Sequence, residues 1–254
     1  MGVRQERRAA IEADIIRVAR QHLATYGAAG LSLRSVAKEL GMVSSGIYRY
    51  VASRDDLLTR LIVRAYTSLA EAAASAHSAV PAEDLDGRWN AIGRAMREWA
   101  LANPHDFALI YGSPVPDYAA PGELTIGPGT AVQGMLVRLL DDAARAGRLP
   151  DPAPDGLPGR AVGDLLTDDL FAGLEVDAQS LARGLSAWTL LLGAVTSELF
   201  HQLGPIDDPG ALFEWHLARA RDLVLRPAAD RPQPSTVQST AVYTTRPSGD
   251  PGGA

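Results

Sequence analysis

The sequence predicts an all-α protein, with a small N-terminal three-helix domain set on a larger helical body. Three observations carry this. Apolar residues recur at three- and four-residue spacing along most of the chain, glycines and prolines punctuate those stretches, and strand-like alternation never persists. A composition of 46% hydrophobic and 21% charged residues over 254 positions is ordinary for a globular chain and too apolar for a disordered one. There are no cysteines, which excludes a disulfide framework and a thiolate metal site.

The first helix follows from Ile11, Ile15, Ala19, Leu23 and Tyr26, with Gly27 and Gly30 as its stop. A second, short helix has Ser32 as N-cap and Val36, Ala37 and Leu40 as its inner face, and Gly41 breaks it after two turns. Residues 42–52 form a third short piece. Ser53-Arg54-Asp55-Asp56 reads as a capping box that opens a long helix through Leu57, Leu61, Ala65, Leu69 and Ala72 to about His77.

Two short helices across a glycine turn have a recognisable use. Ala37 is small enough for helices to cross closely, Gly41 can adopt the left-handed backbone of a sharp turn, and Ile47 closes the small core. That is helix-turn-helix spacing. Ser44, Ser45 and Gly46 begin the second helix of the pair, where small residues allow close approach to base edges. Tyr48 and Tyr50 can bring hydroxyls to phosphate, Arg49 can contact phosphate or guanine, and Arg54 stands at the start of the next helix as a further phosphate contact. Tyr50 fits equally well as a core ring that still presents its hydroxyl. Ser32 and Arg34, at the start of the first helix of the pair, complete the candidate DNA-binding set.

Charge supports a polyanionic partner. Residues 1–64 carry 11 basic and 6 acidic side chains, whereas residues 65–254 carry 13 and 24, so a basic module sits on an acidic body.

The stretch "LSLRSVAKELGMVSSGIYRYVASRDDLL", Leu31 to Leu58, closely resembles the DNA-binding domain of TetR/AcrR-type transcriptional regulators. The resemblance implies an all-helical homodimer whose N-terminal domain reads a palindromic double-stranded operator. It also implies a C-terminal domain that dimerises and binds a small effector, most often one that releases a repressor from DNA. Val51 stands where phenylalanine is usual and Arg54 where lysine is usual, and both keep the physical role.

Past residue 78 the pattern loosens. "SAVPAEDLDG" reads as a loop, then come an amphipathic helix ended by Asn103-Pro104 and a shorter helix. "SPVPDYAAPGELTIGPG", with prolines at 114, 116, 121 and 128, is expected to run as a surface loop. Helical spacing returns from Ala131 to Leu149, and "PDPAPDGLPG" interrupts it. Two last helices are expected near 180–203 and 209–225. Their apolar residues Leu190, Leu191, Val195, Leu199, Leu212, Phe213 and Leu217 exceed what one subunit's core requires, which suggests the homodimer contact. The expected domains are 1–64, 65–226 and a disordered tail over 227–254.

The C-terminal half also resembles a regulator subgroup with a Trp-x-x-x-His-Gly signature, of which Trp188 and Gly193 are kept and Leu192 replaces the histidine. Family resemblance places Trp89, Met96, Trp99, Phe107, Tyr111, Met135 and Trp188 on helices around a central cavity, where they are candidate effector contacts. Each fits a packed core at least as well, and Trp188 fits it better.

Enzyme readings find little support. Glu198-Leu-Phe-His201 is a Glu-x-x-His pair without the second copy that a di-metal site needs, and Ser197 lacks a nucleophile elbow or orienting acid. "GPGTAVQG" lacks the strand and the Lys-Ser/Thr of a phosphate loop. No catalytic residue, metal or cofactor is expected. The longest apolar run, "LSAWTLLLGAVTSELF", is broken by Ser, Thr and Glu, so no membrane span is expected and the chain reads as cytoplasmic. A helical DNA-binding protein without an effector is the alternative to a ligand-responsive regulator, and a helical enzyme stands further behind.

Overall fold

The computed structural model describes residues 2–151, 162, 165 and 173–227, and every regular element among them is helical. Helix α1 spans Val3–Tyr26, so it starts well before Ile11, where the apolar repeat begins. Its buried face is Ile15, Val18, Ala19, His22 and Leu23. Tyr26, expected on that face, is exposed, because the helix outruns the small core in its last turn.

Helix α2 (Leu33–Glu39) is capped by the Ser32 hydroxyl, which accepts the Ser35 N–H. Its exit is a Schellman turn: the Gly41 N–H bonds the Lys38 carbonyl and the Met42 N–H bonds the Ala37 carbonyl. This turn needs a left-handed residue at Gly41, whose φ is +65°. Helix α3 is a single turn, Ser44–Ile47, and residues 48–50 continue as turns rather than as part of a longer third helix. Ala37, Ile47 and Val51 are fully buried where α2 and α3 meet.

Helix α4 (Arg54–Ser78) begins at the Ser53 cap, whose hydroxyl accepts the Asp56 N–H. Asp56 does not complete a reciprocal box on Ser53; its carboxylate reaches one residue further back, to the Ala52 N–H. At 1.5 Å per residue, α4 is a rod about 37 Å long. Its first half, through Leu57, Leu58 and Leu61, closes an N-terminal apolar cluster with α1, α2 and α3. The second half, through Ala65, Leu69 and Ala73, enters a separate and larger cluster. One helix thus carries two cores.

The larger cluster is built on α5 (Leu85–Ala102), α6 (Pro104–Tyr111), α8 (Ala131–Arg145), α9 (Ala178–Leu199) and α10 (Pro209–Val224). Asp84 caps α5, Asp177 caps α9 and Asp208 caps α10, each carboxylate accepting an N–H three residues on. Pro104 opens α6 at the position where its missing N–H costs nothing.

Between α6 and α8 the proline-rich stretch is only partly a loop. Residues 122–129 form helix α7 (Gly122–Gly129), which packs on α4 with Gly129 against the Tyr66 ring. Pro121 is its N-cap, and Pro128 falls in the last turn, where it removes only one carbonyl's partner.

Two helix ends fall short of their expected limits for a shared reason. Helix α8 stops at Arg145, not Leu149, in a Schellman turn at Gly147. Helix α9 stops at Leu199 in the same motif, with His201 taking the left-handed position at φ +53°. The "PDPAPDGLPG" break falls almost wholly, and the expected tail after residue 227 entirely, outside the described residues.

Candidate nucleic-acid interface and aromatic cluster

The helix-turn-helix presents one face outward. Arg34 on α2, Ser44 and Ser45 at the start of α3, and Tyr48 and Arg49 just beyond it are all exposed, Tyr48 by 51%. Gly46 lies at the same turn, where a Cβ would meet Val43 Cγ2 at 3.3 Å. Ser32 is half-buried, and its hydroxyl keeps a proton to donate after accepting from Ser35.

Two candidate DNA contacts have structural work as well. Tyr50 is half-buried, its ring packed against the N-terminal core. Arg54 does not point a free charge outward. Its guanidinium donates to the carbonyls of Leu31 (3.2 Å), Ala28 (3.0 Å) and Ala29 (3.4 Å), tying the loop between α1 and α2 to the start of α4. Beside it, burial pulls the Asp56 carboxyl up, but hydrogen bonds from Arg60 and from the Ala52 N–H outweigh this and leave it below the usual carboxylate range.

The seven effector candidates gather in one place. Trp89, Met96, Trp99 and Phe107 are buried members of the larger core, and Tyr111, Met135 and Trp188 pack against it half-buried. The Trp89 indole donates to the Leu217 carbonyl and that of Trp99 to Ser68 Oγ, so both rings are held as structural members. Tyr111 is the centre of the remaining aromatics, with ring centroids 5.9 Å from Tyr66, 5.1 Å from Phe107 and 6.1 Å from Trp188. Its hydroxyl is buried without a hydrogen-bond partner among the described residues, and burial pushes its pKa far up. The Gln133 carbonyl oxygen on α8 is likewise buried and unpartnered.

Several contacts tie this aromatic cluster to the reading head, and no local sequence signal announces them. Arg20 of α1 donates to Asp106 and to Asn103 at the start of α6. Leu109, Val115 and Tyr118 pack on the N-terminal core, and the Tyr118 hydroxyl meets Thr59 Oγ1 at 2.9 Å. A cleft of about 490 Å³ runs along the Arg20–Asp106 seam.

Most of the residues expected at the dimer contact are engaged within the subunit. Leu191, Val195, Phe213 and Leu217 are buried in the subunit's own core, and Leu190 and Leu199 pack against it. What faces outward is a different stripe: Leu185, Thr189 and Gly193 on α9, and Trp215, Arg219 and Leu223 on α10, with Trp215 59% exposed. As for metal chemistry, both Glu198 oxygens accept from Arg97 at 2.6 and 2.7 Å. Among the described residues no three His, Asp or Glu side chains converge on a metal position, and no helix is long and apolar enough to cross a membrane.

Residues 15–61 match the family described as bacterial regulatory proteins, tetR family, and residues 89–220 match the tetracyclin repressor-like C-terminal domain. The chain belongs to the TetR family. An HTH-type transcriptional regulator of Mycobacterium tuberculosis is 40% identical over 231 residues, covering 84% of this chain and 92% of that protein, and one of Mycobacterium bovis matches equally. Among solved structures, the regulatory protein SCO4313 is 32% identical with a TM-score of 0.70, over 86% of this chain and 98% of that one. The fatty acid degradation regulator FadR of Bacillus halodurans, 17% identical with a TM-score of 0.52 over 82% of this chain and 96% of that one, shares the fold. This TetR-family chain is therefore a DNA-binding transcriptional regulator and not an enzyme.

Proposed function

We propose that the protein is a homodimeric repressor that binds a palindromic operator and leaves it when a small apolar or aromatic effector enters the chamber around Tyr111, Met135 and Trp188. The observation that carries the DNA side is the outward face of Arg34, Ser44, Ser45, Tyr48 and Arg49 on a rigid, fully packed helix-turn-helix. Tyr48 serves phosphate and Arg49 a base edge or phosphate, while Arg54 acts by holding the loop that orients α2. One such head makes few contacts, and a dimer through α9 and α10 doubles them on a two-fold site. Working on chromosomal DNA, it would act in the cytoplasm.

The effector side rests on α6. Phe107 and Tyr111 face the aromatic group while Asp106, on the same helix, holds Arg20 of the reading head. A ligand that shifts α6 acts on α1 through that pair, and it releases DNA only by binding the DNA-incompetent arrangement better. The test is selection of duplexes from a random library with the full chain, followed by an electrophoretic shift with the selected site. The Arg49→Ala, Tyr48→Phe double variant should lose that site; unchanged binding refutes the placement of the interface.

A further inference from the structure

The TetR-family match starts at residue 15, yet α1 starts at Val3, so three helical turns precede the matched domain. Those turns earn no place by burial. Residues 2–10 are all exposed, and the first fully buried side chain of the helix is Ile15. What anchors them is Arg8. Its Nη2 donates to the carbonyl of Arg49 at 3.2 Å, its guanidinium lies 5.5 Å from the centre of the Tyr50 ring, and its Nε meets Glu12 at 2.9 Å. The start of α1 is thereby held against the end of the recognition segment, beside the residues that face DNA.

Arg4 is one turn before Arg8 and on the same side of the helix, about 6 Å further along the axis, and Arg7 flanks the two. Glu6, two residues from each of Arg4 and Arg8, falls on the opposite side. No ion pair holds Arg4 or Arg7 among the described residues, whereas Arg8 is committed to Glu12 and the Arg49 carbonyl. The leading turns therefore present two uncommitted guanidinium groups beyond the edge of the base-reading surface.

We infer that Arg4 and Arg7 are a second DNA contact, taking backbone phosphates that flank the bases read by α3, with Arg8 as the positioning residue that aligns them. The partner is duplex DNA because Arg8 holds these turns against Arg49 and Tyr50, at the end of the segment that carries the proposed DNA-facing side chains. The contact is to phosphate because an α-helix about 10 Å across cannot enter a minor groove about 6 Å wide. Such contacts add affinity and fix register without selecting sequence.

The inference rests on the DNA-binding reading, and the experiment separates the two. Full-length protein is titrated with a duplex recovered by selection, over a series of salt concentrations, as wild type, as the Arg4→Ala, Arg7→Ala variant and as the Arg4→Lys, Arg7→Lys variant. Each lost phosphate contact should lower the slope of log affinity against log salt by about 0.9, so the alanine pair should lower it by about 1.8 per bound protomer. The loss should be equal for specific and non-specific duplexes, the lysine pair should restore the slope, and all three proteins should melt together because both positions are exposed. An unchanged slope in the alanine pair overturns the inference, as does a change in base preference or a failure of lysine to restore the slope. Wild type that binds no duplex at all would instead refute the DNA-binding interface itself.

Discussion

Asp106 at the start of α6 and Arg20 on α1 form an ion pair across the seam between the larger core and the reading head, and Asp106 is only 7% exposed. A carboxylate that buried depends on its partner, while the 39% exposure of the Arg20 side chain lowers the pair's worth below that of a fully buried one. A double-mutant cycle with Arg20→Ala and Asp106→Ala should give a coupling of about 1–2 kcal/mol by urea denaturation. Additive effects would show that this pair does not couple the two cores.

Arg54 should separate from Arg49 in kind. Arg54→Ala removes a charged donor from three carbonyls of the α1–α2 loop, and hydrogen bonds to a charged group contribute about 1.5–3 kcal/mol. It should lower the melting temperature and weaken DNA binding through the misplaced loop. Arg49→Ala should leave the melting temperature unchanged, since that side chain is exposed and makes no bond among the described residues. Equal melts for the two variants would return Arg54 to a simple phosphate contact.

The contrast shows what was legible in the sequence. Gly41, Ala37 and Ile47 announce the helix-turn-helix because the constraint is local: a left-handed turn and a small residue at fixed offsets. The caps at Ser32 and Ser53 are readable for the same reason. The structural role of Arg54 is not legible because its partners lie 23 to 26 residues away, and distance in sequence carries no signal of contact. Arg20 with Asp106 and Arg8 with Arg49 stay hidden likewise. Helix α7 is missed because prolines at a cap and in a last turn look the same in sequence as prolines in a loop. The burial of Leu191, Val195, Phe213 and Leu217 within the subunit is not legible because apolar content marks a helix as buried without saying whether its own subunit or a partner does the burying.

His77, at the end of α4, sets a pH dependence. Its Nε2 accepts a hydrogen bond from Arg88 Nε at 2.9 Å, which requires the neutral ring. Burial and the adjacent Arg88 charge hold its pKa below the ordinary 6.5. A depressed histidine pKa means that the unfolded chain takes up the proton first as pH falls, so stability is full above about 6.5 and declines below it. Melting temperature should drop from pH 7.5 to 5.5, and a His77→Gln variant should show a shallower drop. The same slope in both would remove His77 as the cause.

Gly193 tests the dimer surface. It lies within α9 on the outward stripe with Leu185 and Thr189, and a Cβ there would meet nothing within 4 Å in the subunit. Gly193→Arg should therefore stabilise the isolated subunit slightly, by about 0.5–1 kcal/mol from helix propensity. If α9 packs on its counterpart, the same change inserts a long charged side chain at the crossing, and sedimentation should show a monomer that remains folded. A dimer unaffected by Gly193→Arg would move the interface off this stripe.

Tyr111 should trade stability against effector binding. Its hydroxyl has no partner among the described residues, so Tyr111→Phe removes a buried polar group without breaking a bond, and the free protein should be unchanged or up to about 1 kcal/mol more stable. Tyr66 is the control: its hydroxyl donates to the Ile110 carbonyl at 3.2 Å, and Tyr66→Phe should cost about 0.5–1.5 kcal/mol. With its pKa pushed far above the usual phenol value by burial, Tyr111 keeps its proton throughout the physiological range and acts as a donor. An effector with an aromatic body and one acceptor atom suits that donor between Phe107 and Trp188. Calorimetric titration with an aromatic ketone such as acetophenone should lose affinity about tenfold in Tyr111→Phe, the value of one net hydrogen bond near the upper end of the usual range. Destabilisation of the free protein by Tyr111→Phe, with ketone affinity unchanged, would mean that the hydroxyl serves the core and not a ligand.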